Sequence, residues 1–206
     1  PVKGYYTTTD GKMLSLPYNA STPVLWINKD LMKKAGLDPE MDLSTWKQVG
    51  NALDAAKAKG IDCGLTTAWH SWIHLENFSA YHDLPFASKS NGFAGLDTEL
   101  SFNSPVHIKH IQTLGKWSQE GKFKYLGRRN ESGKNFRAGE CMFFTESSAG
   151  YAGIKKEAKF DKKSAAKLEI ALALALHLDA LHPVKTFEKT TNEFFLIFEK
   201  SIPWYG

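Results

Sequence analysis

The sequence has no long hydrophobic run. A membrane-spanning helix needs about 18 or more apolar residues, and the densest apolar stretch, residues 170–176, is seven residues long with three alanines. Cysteine is scarce, at two residues, Cys63 and Cys141. They are far apart in sequence, so the local Cys pairs of a zinc site are missing. Charge of one sign is missing too: 26 Lys and Arg stand against 22 Asp and Glu, interspersed throughout, for a net charge of +4. The densest basic patch, Gly127-Arg128-Arg129, is followed at once by Asn130-Glu131. A nucleic-acid binder concentrates positive charge on a stripe or tail, so nucleic acid is not an expected partner. Pro1-Val2-Lys3-Gly4-Tyr5-Tyr6 has no starting Met and lacks both the charged start and the apolar stretch of a signal peptide. The chain is therefore expected to be a mature product or a fragment. No Gly-x-Ser-x-Gly elbow occurs, and neither cysteine shows the features of an activated thiol. Glu76 and Asp83 read as solvated carboxylates rather than as a glycosidase pair. No catalysed reaction is expected.

What is present suffices for one sizeable core. Of 206 residues, 42% are hydrophobic and 13% aromatic. Residues 13–28, broken by Pro17 and Pro23, read as kinked extended chain rather than a regular central strand. Residues 29–35 form a short helix stopped by Gly36. Ser44 is placed to cap a longer helix, with Trp46, Val49, Leu53 and Ala56 at helical spacing. Residues 61–66 read as a strand and 69–81 as a helix. Ser104-Pro105 is a helix start, with Ile108, Ile111, Leu114 and Trp117 on one face. Residues 130–137 read as a helix, 141–145 as a strand and 147–158 as a helix. Strands alternating with helices predict an α/β lobe. Each cysteine falls in a strand-like run, and the two runs are expected to be neighbours in one sheet. The pair fits either a disulfide in an oxidising compartment or two buried thiols. Past Phe160 the character changes: residues 168–178 alternate large and small apolar side chains, a strand period on a helix-forming composition.

Three segments carry residues suited to a small polar ligand. Trp69 and Trp72 stand three apart, which on one helix puts them on nearly the same face. Indole faces pack well against the C–H face of a polyol, although two such residues equally suit a core. Ser147-Ser148-Ala149-Gly150 lies where a strand gives way to a helix. Free N–H groups and two hydroxyls there would receive an anion, or Ser147 would be a plain cap. Ser21 lies in irregular backbone whose N–H and C=O groups are free of sheet pairing. His70 and His74 are four apart, but Ser71 replaces the Glu of a zinc protease and no third ligand sits at a suitable offset. No metal or cofactor is expected.

As a set, these segments resemble the extracellular solute-binding proteins of ABC importers, and within them the subfamily that binds glycerol phosphates. The resemblance lies in Leu16-Pro17-Tyr18-Asn19-Ala20-Ser21-Thr22-Pro23 through Pro39, in Trp69-His70-Ser71-Trp72-Ile73-His74-Leu75-Glu76-Asn77-Phe78-Ser79, in Leu84 to Phe93, in Gly127 to Ser132, and in Gly139-Glu140-Cys141-Met142 through Ser148. It covers roughly residues 4–160. It implies one lobe of a two-lobed, type II periplasmic binding protein, a mixed sheet flanked by helices. Residues 1–28 would be the inter-lobe crossing segment with part of the other lobe, 29–160 the ligand-binding lobe, and 161–206 an anomalous tail.

By position, Ser21 resembles the family's ligand-contacting serine on the crossing segment. Ser147, with Ser148 beside it, resembles the serine at the strand-to-helix turn. Trp69 and Trp72 resemble the tryptophans that wall the glycerol moiety. Tyr18 stands where the family often has Phe, and Ala20 where a second Ser is usual. The implied ligand is sn-glycerol-3-phosphate or a glycerophosphodiester such as glycerophosphocholine; a sugar or oligosaccharide is the alternative within the class. The implied partner is the membrane permease of an ABC importer, the compartment periplasmic, and the protein a monomer. The family's first lobe contributes a Tyr and a Glu to the site, and a later Gly-rich segment, a Tyr and an Arg complete it. The first two would precede residue 1, and the later ones have no counterpart in residues 161–206, so the chain is expected to carry half of the cleft.

Overall fold

The computed structural model describes residues 6–8, 10–16, 21–158 and 170–171. Its frame is a five-stranded mixed sheet in the order β3-β2-β4-β1-β5, made of β1 (Pro23–Ile27), β2 (Cys63–Thr67), β3 (Phe123–Lys124), β4 (Cys141–Ser147) and β5 (Ile170–Ala171). β2, β3 and β4 run parallel, and β1 runs antiparallel to β4, with Pro23 opposite Ser147 and Ile27 opposite Phe143.

Residues 23–27 therefore form a regular strand with neighbours on both sides, against the kinked chain expected from the prolines. Pro23 is tolerated because it is the first residue of the strand, where no interior ladder donor is lost. Tyr18, Ala20 and nearly all of the tail lie outside the described residues. The exception is residues 170–171, which pair with β1, so that of the two readings left open there the strand applies to these residues. The division of the chain at residues 28 and 160 stays an expectation.

Helices cover both faces. Side chains of β1 alternate between them: Leu25 and Ile27 join one apolar cluster, Val24 and Trp26 the other. The first cluster is closed by Val49, Ala52, Leu53 and Ala56 of α2 (Trp46–Ala58) and by Leu114 and Trp117 of α4 (Pro105–Gln119). The second is closed by Phe136 of α5 (Gly133–Arg137) and Ile154 of α6 (Tyr151–Glu157). The short α1 (Lys29–Lys34) is capped by Asn28, whose Oδ1 accepts from the amides of Asp30 and Leu31, and α3 (Asn77–Tyr81) follows the tryptophan segment.

Two helix expectations are corrected. Thr45, not Ser44, caps α2: its Oγ1 accepts from the Gln48 amide at 3.2 Å, while Gln48 Oε1 accepts from the Thr45 amide at 2.8 Å. Ser44 instead donates to Asp42 in the preceding turn. On α4 the buried stripe is His107, His110, Leu114 and Trp117; Ile108 and Ile111 are each 48% exposed. The imidazoles have partners inside, which a hydrophobicity pattern does not register. Ser104 Oγ spends itself on one of them, His107 Nδ1 at 2.7 Å, rather than on the helix amides.

Cys63 and Cys141 stand directly opposite in the β2–β4 register, as expected of neighbouring strands, and form a disulfide with Cα atoms 4.5 Å apart. It closes a loop over a sequence separation of 78 and pins the two strands at the end opposite the site described next.

Candidate ligand-binding site

Parallel strands β2 and β4 end side by side. β1, being antiparallel, begins at that same end. Ser21, Trp69 and Ser147 thus come to one edge of the sheet from three separate segments. In open α/β sheets this edge, beyond the carboxyl ends of the parallel strands, is where ligands bind. The chain after β3 arrives there too: the Arg129 carbonyl accepts from the Trp69 amide at 2.9 Å, and Ser132 Oγ donates to the Thr67 carbonyl at 2.7 Å. Arg128 and Arg129 are both exposed.

Trp69 does not sit in the helix predicted for it. Its φ is +46°, in the left-handed region, where a bulky L residue carries a cost of about 1–2 kcal/mol. Helical hydrogen bonding begins at its own carbonyl, which accepts from the Ile73 amide at 3.0 Å. Trp72 opens a five-residue π-helical turn (Trp72–Glu76) that leads into α3. The shared-face argument for the two tryptophans therefore fails, because only Trp72 is helical. Trp69 is 38% exposed and Trp72 half-buried, so Trp69 is the more available wall.

The serine turn is also different from the expectation. β4 runs on through Ser147, a 3₁₀ turn covers Ser148–Gly150, and α6 follows. The amides a free anion would need are already engaged. That of Ser147 donates to Glu146 Oε1 at 2.7 Å, that of Ser148 to the Thr22 carbonyl at 2.8 Å, and that of Ala149 to Ser147 Oγ at 3.1 Å. The anion at this turn is the protein's own Glu146. What remains for a ligand is hydroxyl chemistry. Ser147 Oγ and Ser148 Oγ each accept a backbone N–H, the latter from Thr22 at 3.3 Å, which leaves their protons to donate. Ser147 is buried, Ser148 half-buried and Ser21 exposed.

Sequence reasoning passed over two features of this edge. The first is Glu146, buried at 2% exposure. Burial raises its pKa, opposed first by the Ser147 amide, which donates to its Oε1, and also by the charge of Arg137. The second is a clamp across the strand ends. Thr145 Oγ1 donates to Thr67 Oγ1 at 2.7 Å, and Thr67 Oγ1 donates to the Ala68 carbonyl at 3.0 Å. Both hydroxyls are then left as acceptors toward His74 Nε2, at 3.0 and 3.2 Å, which fixes His74 as a neutral imidazole protonated on Nε2. Burial, and then the charge of His70, pushes its pKa down to about 3. His70 and His74 do not converge on a metal: His70 packs edge-on against Tyr125, and no group of metal-ligating residues occurs among the described residues.

A cavity of about 50 Å³ lies on the α2–α4 side, lined by Trp46, His74, Phe78, Tyr81, His110 and Thr145 among others. None of the five predicted site residues lines it. Burial raises the phenol pKa of Tyr81. No helix among the described residues is long and apolar enough to cross a membrane.

Residues 1–180 match the family model described as bacterial extracellular solute-binding protein. The sn-glycerol-3-phosphate-binding periplasmic protein UgpB of Shigella flexneri is 49% identical over 161 residues, covering 78% of this chain and 37% of that protein; its Escherichia coli K12 counterpart is 48% identical over the same length. The chain thus spans little more than a third of these relatives. Among solved structures, UgpB from Mycobacterium tuberculosis in complex with glycerophosphocholine superposes with a TM-score of 0.61 at 18% identity, over 78% of this chain and 40% of that one. The GacH receptor of Streptomyces glaucescens does so at 0.63 and 15%, over 84% and 42%. At such identities the structures speak for the fold alone, a lobe of the two-lobed binding-protein architecture. With the matching family model and the sheet edge just described, they place the chain in the bacterial extracellular solute-binding protein family.

Proposed function

We propose that the chain is the ligand-binding lobe of the substrate-binding component of an ABC importer. It captures sn-glycerol-3-phosphate or a glycerophosphodiester such as glycerophosphocholine, and delivers it to the membrane permease. The carrying observation is the meeting of Ser21, Trp69 and Ser147, from three segments, at the carboxyl edge of the parallel strands. An exposed indole supplies the wall for a glycerol backbone, and the serine hydroxyls supply donors for its oxygens or a phosphate. Near-50% identity to proteins named for glycerol-3-phosphate supports that ligand over a sugar. The disulfide and those relatives' periplasmic description support an oxidising, periplasmic setting. Binding without chemistry is the proposed role: the site brings together no nucleophile with a base. Closure of a second lobe over this edge would bury the ligand.

Direct titration with glycerol-3-phosphate, glycerophosphocholine and maltose tests the reading. Heat on adding either phosphate ester, with none for maltose, is the expected result. A preference for maltose would move the protein to the sugar-binding members of the class, and release of free glycerol phosphate from glycerophosphocholine would make it a hydrolase.

A further inference from the structure

The densest basic patch of the chain, Gly127-Arg128-Arg129, lies at the same sheet edge as Trp69. Its segment is tied there at two points. The Arg129 carbonyl accepts from the Trp69 amide at 2.9 Å, so the two residues are backbone neighbours, and Ser132 Oγ donates to the Thr67 carbonyl at 2.7 Å. Between these anchors Glu131 turns back on its own loop, where its Oε2 accepts from the Arg129 amide at 2.6 Å. A Cβ on Gly127, whose φ is +146°, would stand 2.6 Å from that same oxygen, so glycine is what lets the carboxylate close the loop.

The two guanidinium groups are not spent on the fold. Both arginines are exposed, and among the described residues no carboxylate pairs with either. Arg137, by contrast, is paired with Glu157 at 2.9 Å. The rest of the edge offers an anion little charge. The amides of Ser147, Ser148 and Ala149 are engaged within the protein, and the serine hydroxyls that remain are neutral donors. Glu146 is buried at the same turn and, when ionised, opposes an anion.

We infer that Arg129, with Arg128 beside it, is the phosphate-recognising group of this edge, and so what makes it select a phosphate ester over an uncharged polyol or sugar. The inference rests on the reading that a glycerol phosphate binds here, and adds the group that meets its charge. A guanidinium suits phosphate because its parallel N–H donors match two phosphate oxygens. A phosphomonoester, with close to two negative charges at neutral pH, gains more from it than a diester with one.

Titration of the full chain with sn-glycerol-3-phosphate and with glycerophosphocholine, followed by indole and arginine Nε–H resonances, tests this on the parent and on Arg129→Gln, Arg128→Gln and Lys34→Gln. Lys34, exposed on α1 toward the disulfide end of the sheet, controls for the loss of one positive charge. Arg129→Gln should weaken glycerol-3-phosphate about tenfold and glycerophosphocholine about threefold, Arg128→Gln should cost less, and Lys34→Gln should change neither. Added salt should erode the parent's affinity for glycerol-3-phosphate more than that of Arg129→Gln. Equal losses in Arg129→Gln and Lys34→Gln, or an equal loss for both esters in Arg129→Gln, would overturn the inference. If the parent takes up neither ester, the functional reading fails, and titration with inorganic phosphate decides the inference: a shift of the Arg129 Nε–H resonance, assigned by its absence in Arg129→Gln, upholds the anion site, and no shift overturns it.

Discussion

Trp69 and Trp26 show how one residue type divides between binding and folding. Trp26 is 1% exposed, within the cluster under α5 and α6, while Trp69 is 38% exposed at the sheet edge. Trp69→Ala should therefore weaken ligand binding by tenfold or more, since a desolvated aromatic anchor is typically worth about 2 kcal/mol on truncation. The same change should shift the urea midpoint little, because the ring is 38% exposed and alanine keeps the Cβ that already sits in the left-handed backbone. Trp26→Ala should do the reverse, at about 3–5 kcal/mol of stability. An unchanged affinity on removing Trp69 would make it surface decoration. Buried imidazoles give a second prediction at this scale. His74 is held to about 3 and His110, stacked on Phe78 at 4.0 Å, is pushed down to about 2; burial is the main cause for both, with neighbouring histidines adding to it. Their folded values lie below the unfolded 6.5, so the unfolded chain takes up protons first as pH falls. Stability is complete above about pH 6.5 and declines by up to about 1.4 kcal/mol per pH unit per imidazole down toward pH 3. Urea midpoints at pH 7.5 and 5.0 should differ accordingly, and His110→Phe should flatten the difference by about half. A stability independent of pH across that interval would show that these imidazoles are not held neutral.

Elements were legible in the sequence where periodicity and chemistry agree, and were misread where they part. In α2, apolar spacing and a cap coincide, and the prediction missed the cap by one residue because Ser44 found a nearer partner in Asp42. In α4 the apolar residues chosen, Ile108 and Ile111, face outward; two histidines fill the inner positions because Ser79 and Phe78 receive them, His107 Nε2 lying 2.8 Å from Ser79 Oγ. No hydropathy pattern carries that information, since it depends on another helix. β1 was misjudged on its prolines, when only the one inside the strand matters and it sits at the strand's start. At the site, the segments of Ser21, Trp69 and Ser147 reach the same end of the sheet. Glu146, whose Oε1 accepts from the Ser147 amide, was passed over because an isolated Glu in a motif reads as a solvated side chain until its burial is seen. The cysteine pair was legible through its strands. The disulfide closes a loop over a separation of 78 residues, and its removal should cost about 4 kcal/mol. Reduction under mild denaturant, or Cys63→Ser, should lower the unfolding free energy by that amount, read as a fall in the urea midpoint. A midpoint indifferent to reductant would mean that β2 and β4 are held by their ladder alone.

At the scale of the molecule, the sheet offers a ligand one wall. The chain covers 37% of relatives named for binding sn-glycerol-3-phosphate, and the family resemblance implies further ligand contacts outside the matched segments. A half-site bears most of the cost of immobilising the ligand and makes only part of the contacts. The chain alone should therefore bind glycerol-3-phosphate more weakly than about 0.1 mM, or under about 5.5 kcal/mol. Micromolar binding by calorimetry would mean that residues 161–206 supply the missing partners. Weak binding can still be located, and its location tests the central claim most directly. The measurement is ¹H–¹⁵N mapping of the chain during titration with millimolar glycerol-3-phosphate. The amides of Ser21, Ser147 and Ser148 and the indole groups of Trp69 and Trp72 are expected to shift together along one binding curve. Shifts confined to the cavity beside Trp46 and His110, or no shift at any concentration, would contradict the assignment of the sheet edge as the ligand site.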